Sequence, residues 1–159
     1  MKYMRYRNQK VKFESTAFRH ISEHVTKAYP QEGCGVLLGK IPAEEADFPG
    51  ESEGSYLIQK VCPLTNHSDK SSAAVHFNID PLEMYRIEKE AEEEGLTVLG
   101  VYHSHPDCKA VPSEEDGEYM IPGQFYLIVS VFCGQCDEKR GYIKDEATGE
   151  ILEIVFTGQ

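Results

Sequence analysis

The sequence predicts an α+β fold, a single domain in which two helices pack against one sheet. Three observations carry that expectation. Short apolar runs of strand length recur at 35–39, 96–102 and 125–132. Residues 15–29 and 80–95 instead repeat their apolar side chains at helical spacing. The 159 residues suit one domain with a real core, and no internal repeat divides them.

In chain order, residues 10–13 open with a short strand. Ser15 or Thr16 offers an N-cap to a helix that runs to Tyr29, and Pro30 ends it. Phe18, Ile21, Val25 and Ala28 form its apolar stripe. On the same segment His20, Glu23 and His24 spell H-x-x-E-H, a pattern in which two histidines one turn apart hold zinc. At 3.6 residues per turn both histidines fall opposite the stripe, so the expectation is a solvated face.

Glu32 stands at the mouth of the apolar run 35–39. Residues 40–55 are acidic and carry Pro42, Pro49, Gly50 and Gly54, which marks an exposed loop rather than a domain linker. Residues 56–61 form a second strand. The polar stretch 64–74 holds His67, to which no role is assigned. Residues 75–79 alternate as a strand, with His76 on the polar side. Asp80 then caps a helix with Pro81 at its first position and Glu83 three residues on. Met84, Ile87 and Ala91 are its core stripe, Gly95 its stop, and the glutamates of 88–94 its solvated face.

The chemistry concentrates at 99–116. The apolar strand leads into His103-Ser104-His105-Pro106. On an extended chain residues i and i+2 share a face, so His103 and His105 project together while Ser104 points away. Pro106 cannot donate to a ladder, which ends the strand. Two imidazoles at a strand end make half of a metal site. Asp116 returns a carboxylate after a loop, and a set of two histidines and one carboxylate leaves a position open for water. With Ser113 the full spacing is H-x-H, seven residues, S-x-x-D. Such a pattern arises by chance on the order of once in a thousand chains of this composition. A purely structural role competes, because Ser113 and Asp116 also fit a capping box at a helix start.

This pattern resembles the JAMM motif of the JAB1/MPN/Mov34 metalloenzymes. Pro30-Gln31-Glu32-Gly33-Cys34-Gly35 is similar to that family's upstream P-x-E-x-C-G context. The two motifs stand in the family's order, and the likeness runs from about residue 13 to 131, nearest the small prokaryotic members. It implies one MPN-like, cytidine-deaminase-like domain over residues 1–159, a curved mixed sheet with two main helices packed against it. It implies one catalytic zinc ion held by His103, His105 and Asp116, with Glu32 as general base and Ser113 as donor to the oxyanion. The implied reaction is hydrolysis of the amide bond after the C-terminal tail of a ubiquitin-like or sulfur-carrier protein, that tail being the partner. Two alternatives stay open: a non-catalytic MPN-type scaffold that binds a partner, and a zinc amidohydrolase acting on small amides. Scaffolds of the family usually lack some motif residues, and this chain lacks none.

Downstream, residues 125–132 are the most strand-like run, 139–144 pairs with it, and 151–156 forms a final strand. Cys133-Gly134-Gln135-Cys136 lies at the intervening turn. A redox pair favours a helix N-terminus, and a structural zinc needs two more ligands, so these are read as turn residues with incidental thiols. Cys34, Cys62 and Cys133 sit in apolar runs, as small buried hydrophobes do. Cys108, in the loop after the histidines, has no partner spacing.

Bulk properties exclude several function classes. A formal net charge of -11 argues against non-specific binding to nucleic acid or to an anionic membrane surface. No window is apolar for long enough to span a bilayer. The basic stretch 1–12 lacks the apolar core of a signal peptide, and five cysteines are too few for a secreted disulfide scaffold. A cytoplasmic protein is expected. A homo-oligomer is neither predicted nor excluded.

Overall fold

The computed structural model describes residues 10–41, 55–65 and 80–158. The strand expected at 75–79 with His76, the segment around His67, the basic stretch 1–9 and most of the acidic loop lie outside the described residues. The elements are β1 (Lys10–Phe13), α1 (Ser15–Ala28), β2 (Cys34–Lys40), β3 (Ser55–Leu64), α2 (Pro81–Glu93) and β4 (Thr97–Pro106). They continue with α3 (Glu114–Tyr119), β5 (Phe125–Phe132), β6 (Gln135–Lys144), β7 (Ile151–Ile154) and β8 (Phe156–Gly158). Among the described residues all eight strands join one sheet in the order β7-β6-β5-β4-β2-β3-β1-β8. It is mixed: β1 runs parallel to β3 and β8, and β4 runs parallel to β5. The pairs of β2 with β3, β2 with β4, β5 with β6 and β6 with β7 are antiparallel.

The segment expected as one strand at 151–156 is two strands on opposite edges of the sheet, with Val155 alone between them. Two residue steps reach about 7 Å. The sheet therefore curves until its edges nearly meet, and Phe156 of β8 brings its ring within 6.3 Å of Phe125 on β5.

Curvature gives the sheet an inside, and α1 packs there. Its stripe is Ala17, Ile21 and Val25, buried with Phe13, Leu37, Ile58, Phe125, Leu127 and Val129. The N-cap residue of the helix is Glu14, whose side chain makes no capping bond and instead accepts from Gln59 Nε2 at 3.1 Å, and not Ser15 or Thr16 as expected. On the other face α2 lays Ile87 and Ala91 over Cys34, Val36 and Leu38. Asp80 caps it as expected, its Oδ1 accepting from the Leu82 amide at 2.9 Å, and Gly95 follows with a left-handed φ of +73°. A third cluster, Val101, Ala110, Met120, Tyr126, Ile128 and Tyr142, lies toward α3. Among the described residues no helix is long and apolar enough to cross a membrane.

One irregularity sets the direction of the residues that follow. Leu37 of β2 pairs with Gly100 but Leu38 pairs with Val98, which leaves Leu99 as an extra residue in β4. Leu99 joins Tyr102 in the α1-side core, and the alternation restarts beyond it. Val101, His103 and His105 then face the side covered by α2 and α3, while Tyr102 and Ser104 face α1.

Candidate metal centre

At the end of β4 the two histidines stand side by side, with His103 Nε2 3.2 Å from His105 Nε2. Strand register brings the next group. Cys34 pairs with His103, and one step on, the Ser104 amide donates to the Gly33 carbonyl at 2.9 Å. Glu32 therefore lies opposite His105, and alternation turns its side chain to the histidine side. Its Oε1 is 3.7 Å from His103 Nε2, and only 2% of the residue is exposed.

The short helix α3 supplies the second carboxylate. Ser113 Oγ accepts from the Asp116 amide at 3.0 Å, and the Ser113 amide donates to Asp116 Oδ2 at 2.9 Å, a complete capping box. The same Oδ2 lies 3.0 Å from His105 Nε2, and Oδ1 lies 3.4 Å from His103 Nε2. Capping and convergence on the histidines, set against each other in the sequence, are both present in one side chain. The loop before α3 is fixed by Tyr142, whose hydroxyl donates to the Ala110 carbonyl at 2.6 Å. Within that loop the Lys109 carbonyl lies 2.9 Å from His105 Nδ1. A carbonyl only accepts, so the neutral ring carries its proton on Nδ1 and presents the Nε2 lone pair to the site.

Glu32, His103, His105 and Asp116 each offer a ligand atom, all within 4.8 Å of one another. The edges of a tetrahedron whose corners lie about 2.0–2.1 Å from its centre are about 3.3 Å long. The two Nε2 atoms, 3.2 Å apart, are separated by an edge of that size, and each lies near one oxygen of Asp116, His103 at 3.4 Å from Oδ1 and His105 at 3.0 Å from Oδ2. Two imidazoles and a carboxylate gathered at such distances are a donor set for a small divalent cation.

The charges agree with a cation. Burial, then the Asp116 and Glu115 carboxylates, push the Glu32 carboxyl up to about 9. Burial lowers His103 against the pull of Asp116. Burial opposes ionisation of His105 and Asp116 too, but other contacts outweigh it: Asp116 and the Lys109 carbonyl hold the His105 imidazole above its usual value, and His103, His105 and the Ser113 amide hold the Asp116 carboxyl far below its usual range.

Every residue expected at the site is here: Glu32, His103, His105 and Asp116 converge, and Ser113 sits exposed at the lip, bonded to Asp116. The helix pair does not form a second site. His20 is exposed, but His24 is half-buried, its Nδ1 2.8 Å from the Tyr102 hydroxyl, which corrects the expectation of a solvated face. The stripe is centred on Ala17, Ile21 and Val25 rather than on Phe18, and that places residue 24 on its flank. Cys133 also departs from expectation: it is exposed at the β5–β6 turn with φ 50°, and Cys62 is only partly buried. Cys108 is exposed and joins no ligand group among the described residues. Nothing in the residue pattern pointed to the Lys109 carbonyl, since any residue supplies one. Nor did it reveal Ser104 Oγ, which accepts from the Gly33 amide at 2.8 Å.

The family model described as prokaryotic homologs of the JAB domain matches residues 14–141. A desampylase of Haloferax volcanii is 32% identical over 112 residues, 70% of this chain and 70% of that protein. A desampylase of Pyrococcus furiosus is 42% identical over 89 residues, 56% of this chain; the match spans about half, 51%, of that relative's length. Among solved structures, a JAB1/MPN domain protein of Archaeoglobus fulgidus superposes with a TM-score of 0.56 at 18% identity, over 96% of this chain and 99% of that one. That likeness concerns the fold.

Proposed function

The chain belongs to the family of prokaryotic homologs of the JAB domain, and from that premise we propose that it is a zinc-dependent isopeptidase. Its substrate is a conjugate of a ubiquitin-like or sulfur-carrier protein, cut at the amide bond after that protein's C-terminal tail. The name desampylase, borne by two of its relatives, supports a conjugate of this kind. The observation that carries the reading is the convergence of Glu32, His103, His105 and Asp116 within 4.8 Å. The one sheet shared by all the described strands supports taking residues 1–159 as a single catalytic domain.

In this reading His103 Nε2, His105 Nε2 and Asp116 hold the ion. Zinc supplies Lewis acidity there, enough to make a water nucleophilic near neutral pH. Glu32 takes the proton of the attacking water on its carboxylate and passes it to the departing amine. Its position suits the task, with Oε1 3.7 Å from His103 Nε2, beside the place the ion would occupy. The Ser113 oxygen is already an acceptor in the cap, but its hydroxyl hydrogen is not used there. That hydrogen is available to the oxyanion that forms on the substrate carbonyl. Lys109 and Ser113 orient His105 and Asp116 through the bonds described above. No thiol enters the chemistry.

The test is cleavage of a purified carrier-protein conjugate. Activity is expected to vanish with chelator, return with zinc, and be absent from Glu32→Gln protein that keeps its metal. Tight binding of the carrier protein without cleavage would make the chain a scaffold. Hydrolysis of small amides with the conjugate left intact would make it an amidohydrolase of another substrate class.

A further inference from the structure

We propose that Ser104 is a positioning residue for Glu32, and that Tyr29 with Asp107 forms the second anchor of the same clamp. The proposal rests on Glu32 acting as the proton carrier, and it concerns what holds that carboxylate in place.

Glu32 lies outside β2, so the ladder that fixes Cys34 onward does not fix it. A carboxylate that must reach one water needs its backbone held more tightly than a chain end provides. The next residue, Gly33, is held on three sides. Its carbonyl accepts from the Ser104 amide at 2.9 Å, as in an ordinary ladder. Its amide departs from the ladder and donates to Ser104 Oγ at 2.8 Å, a bond that is wholly buried. Toward α1 there is no room: a Cβ on Gly33 would lie 3.1 Å from Ala28 Cβ and 3.4 Å from Val25 Cα. Gly33 is wedged between the helix and the strand that carries both histidines.

The other end of the segment is tied to that strand as well. The Tyr29 hydroxyl donates to Asp107 Oδ2 at 2.7 Å. Asp107 is itself held, its amide donating to the Val131 carbonyl at 2.8 Å and its Oδ1 accepting from the Cys133 amide at 2.9 Å. Only Pro30, Gln31 and Glu32 lie between the two anchors. The middle residue of His103-Ser104-His105 thus points away from the ion and sets, through Gly33, where Glu32 stands relative to the imidazoles on either side of it.

The experiment measures kcat, KM and metal content of Ser104→Ala and Ser104→Thr, with hydrogen exchange at the Gly33 amide read by NMR. For Ser104→Ala the expected result is a kcat lower by about ten- to a hundredfold, with KM and metal stoichiometry unchanged and faster exchange at Gly33. Ser104→Thr, which keeps the hydroxyl, restores kcat to within about threefold. Wild-type kcat in Ser104→Ala, or a loss of kcat matched by loss of metal, overturns the proposal. Should Ser104→Ala not fold, Ser104→Cys and Tyr29→Phe replace it, and wild-type kcat in both has the same force. Glu32→Gln is assayed alongside. If it is inactive while Ser104→Ala turns over normally, only the clamp is refuted; if it is fully active, the proposed function itself fails.

Discussion

Ser113 and Asp116 cap one another across the first turn of α3, and the carboxylate oxygen that closes this box, Asp116 Oδ2, is the one 3.0 Å from His105. Ser113→Ala therefore removes two things. Loss of the cap costs about 1 kcal/mol, a fall in Tm of about 2–4 °C. Loss of the donor to the oxyanion lowers kcat by about a hundredfold or more. Ser113→Thr keeps both groups and should stay near wild type in Tm. Thermal scans and steady-state kinetics check the pair, and an unchanged kcat in Ser113→Ala would leave the serine as a cap alone.

Metal analysis is expected to return about one zinc per chain, because one complete donor set is present among the described residues. An ion that binds only the folded state adds about 4 kcal/mol when it is a thousandfold above its dissociation constant. Chelator should accordingly lower the Tm of the wild type. His103→Ala/His105→Ala protein should show low metal content and no response to chelator. Full metal content in that variant would move the ion away from His103 and His105 and overturn the assignment.

Glu32 links stability to pH in the metal-free protein. Its carboxyl is pushed up to about 9 by burial and by Asp116 and Glu115, against about 4.5 when unfolded. The folded state thus holds a proton that the unfolded chain releases, so this contribution is full below pH 4.5 and is lost as pH rises toward 9. Glu32→Gln has no such proton to lose. With chelator present at pH 8 it should unfold at a higher denaturant concentration than wild type, and the gap should close near pH 5. A wild type that equals or exceeds the variant at pH 8 would contradict this.

Thiol labelling should separate the cysteines. Cys34 is fully buried, and burial, then the Glu32 and Glu83 charges, push its thiol up to about 12, so it stays protonated at pH 8. Cys108 and Cys133 are exposed. Iodoacetamide on the native protein should modify these two first and leave Cys34 untouched until denaturant is added, as read by peptide mass spectrometry. Peptidase activity should survive the first two adducts, because no step uses a thiol.

Much of this arrangement was legible in the residues because local spacing and capping signals carried it. The two-residue alternation of His103 and His105 and the spacing to Asp116 marked the candidate ligands that the structure brings together. The capping signals at Asp80 and Gly95 located α2. What stayed hidden depends on partners remote in sequence. The flank position of His24 follows from how α1 rolls against the sheet, and its bond to Tyr102 crosses 78 residues. The role of Ser104 needs the register of β2 against β4, which neither strand states alone. The division of residues 151–156 reflects curvature of the whole sheet, and no local pattern encodes it.

That division has a consequence for how the chain comes together during synthesis. Of the described strands β1 leaves the ribosome before the others, yet its outer neighbour β8 leaves after them, and the two run parallel. Until residues 156–158 emerge, the first strand has an open flank, and the aromatic rings of Phe13 and Phe18 lack the Phe156 ring that meets them. Cotranslational folding must therefore tolerate a flank of β1 left open until β8 has been made, and replacing residues 156–158 by a sequence that cannot pair would loosen β1 from the sheet.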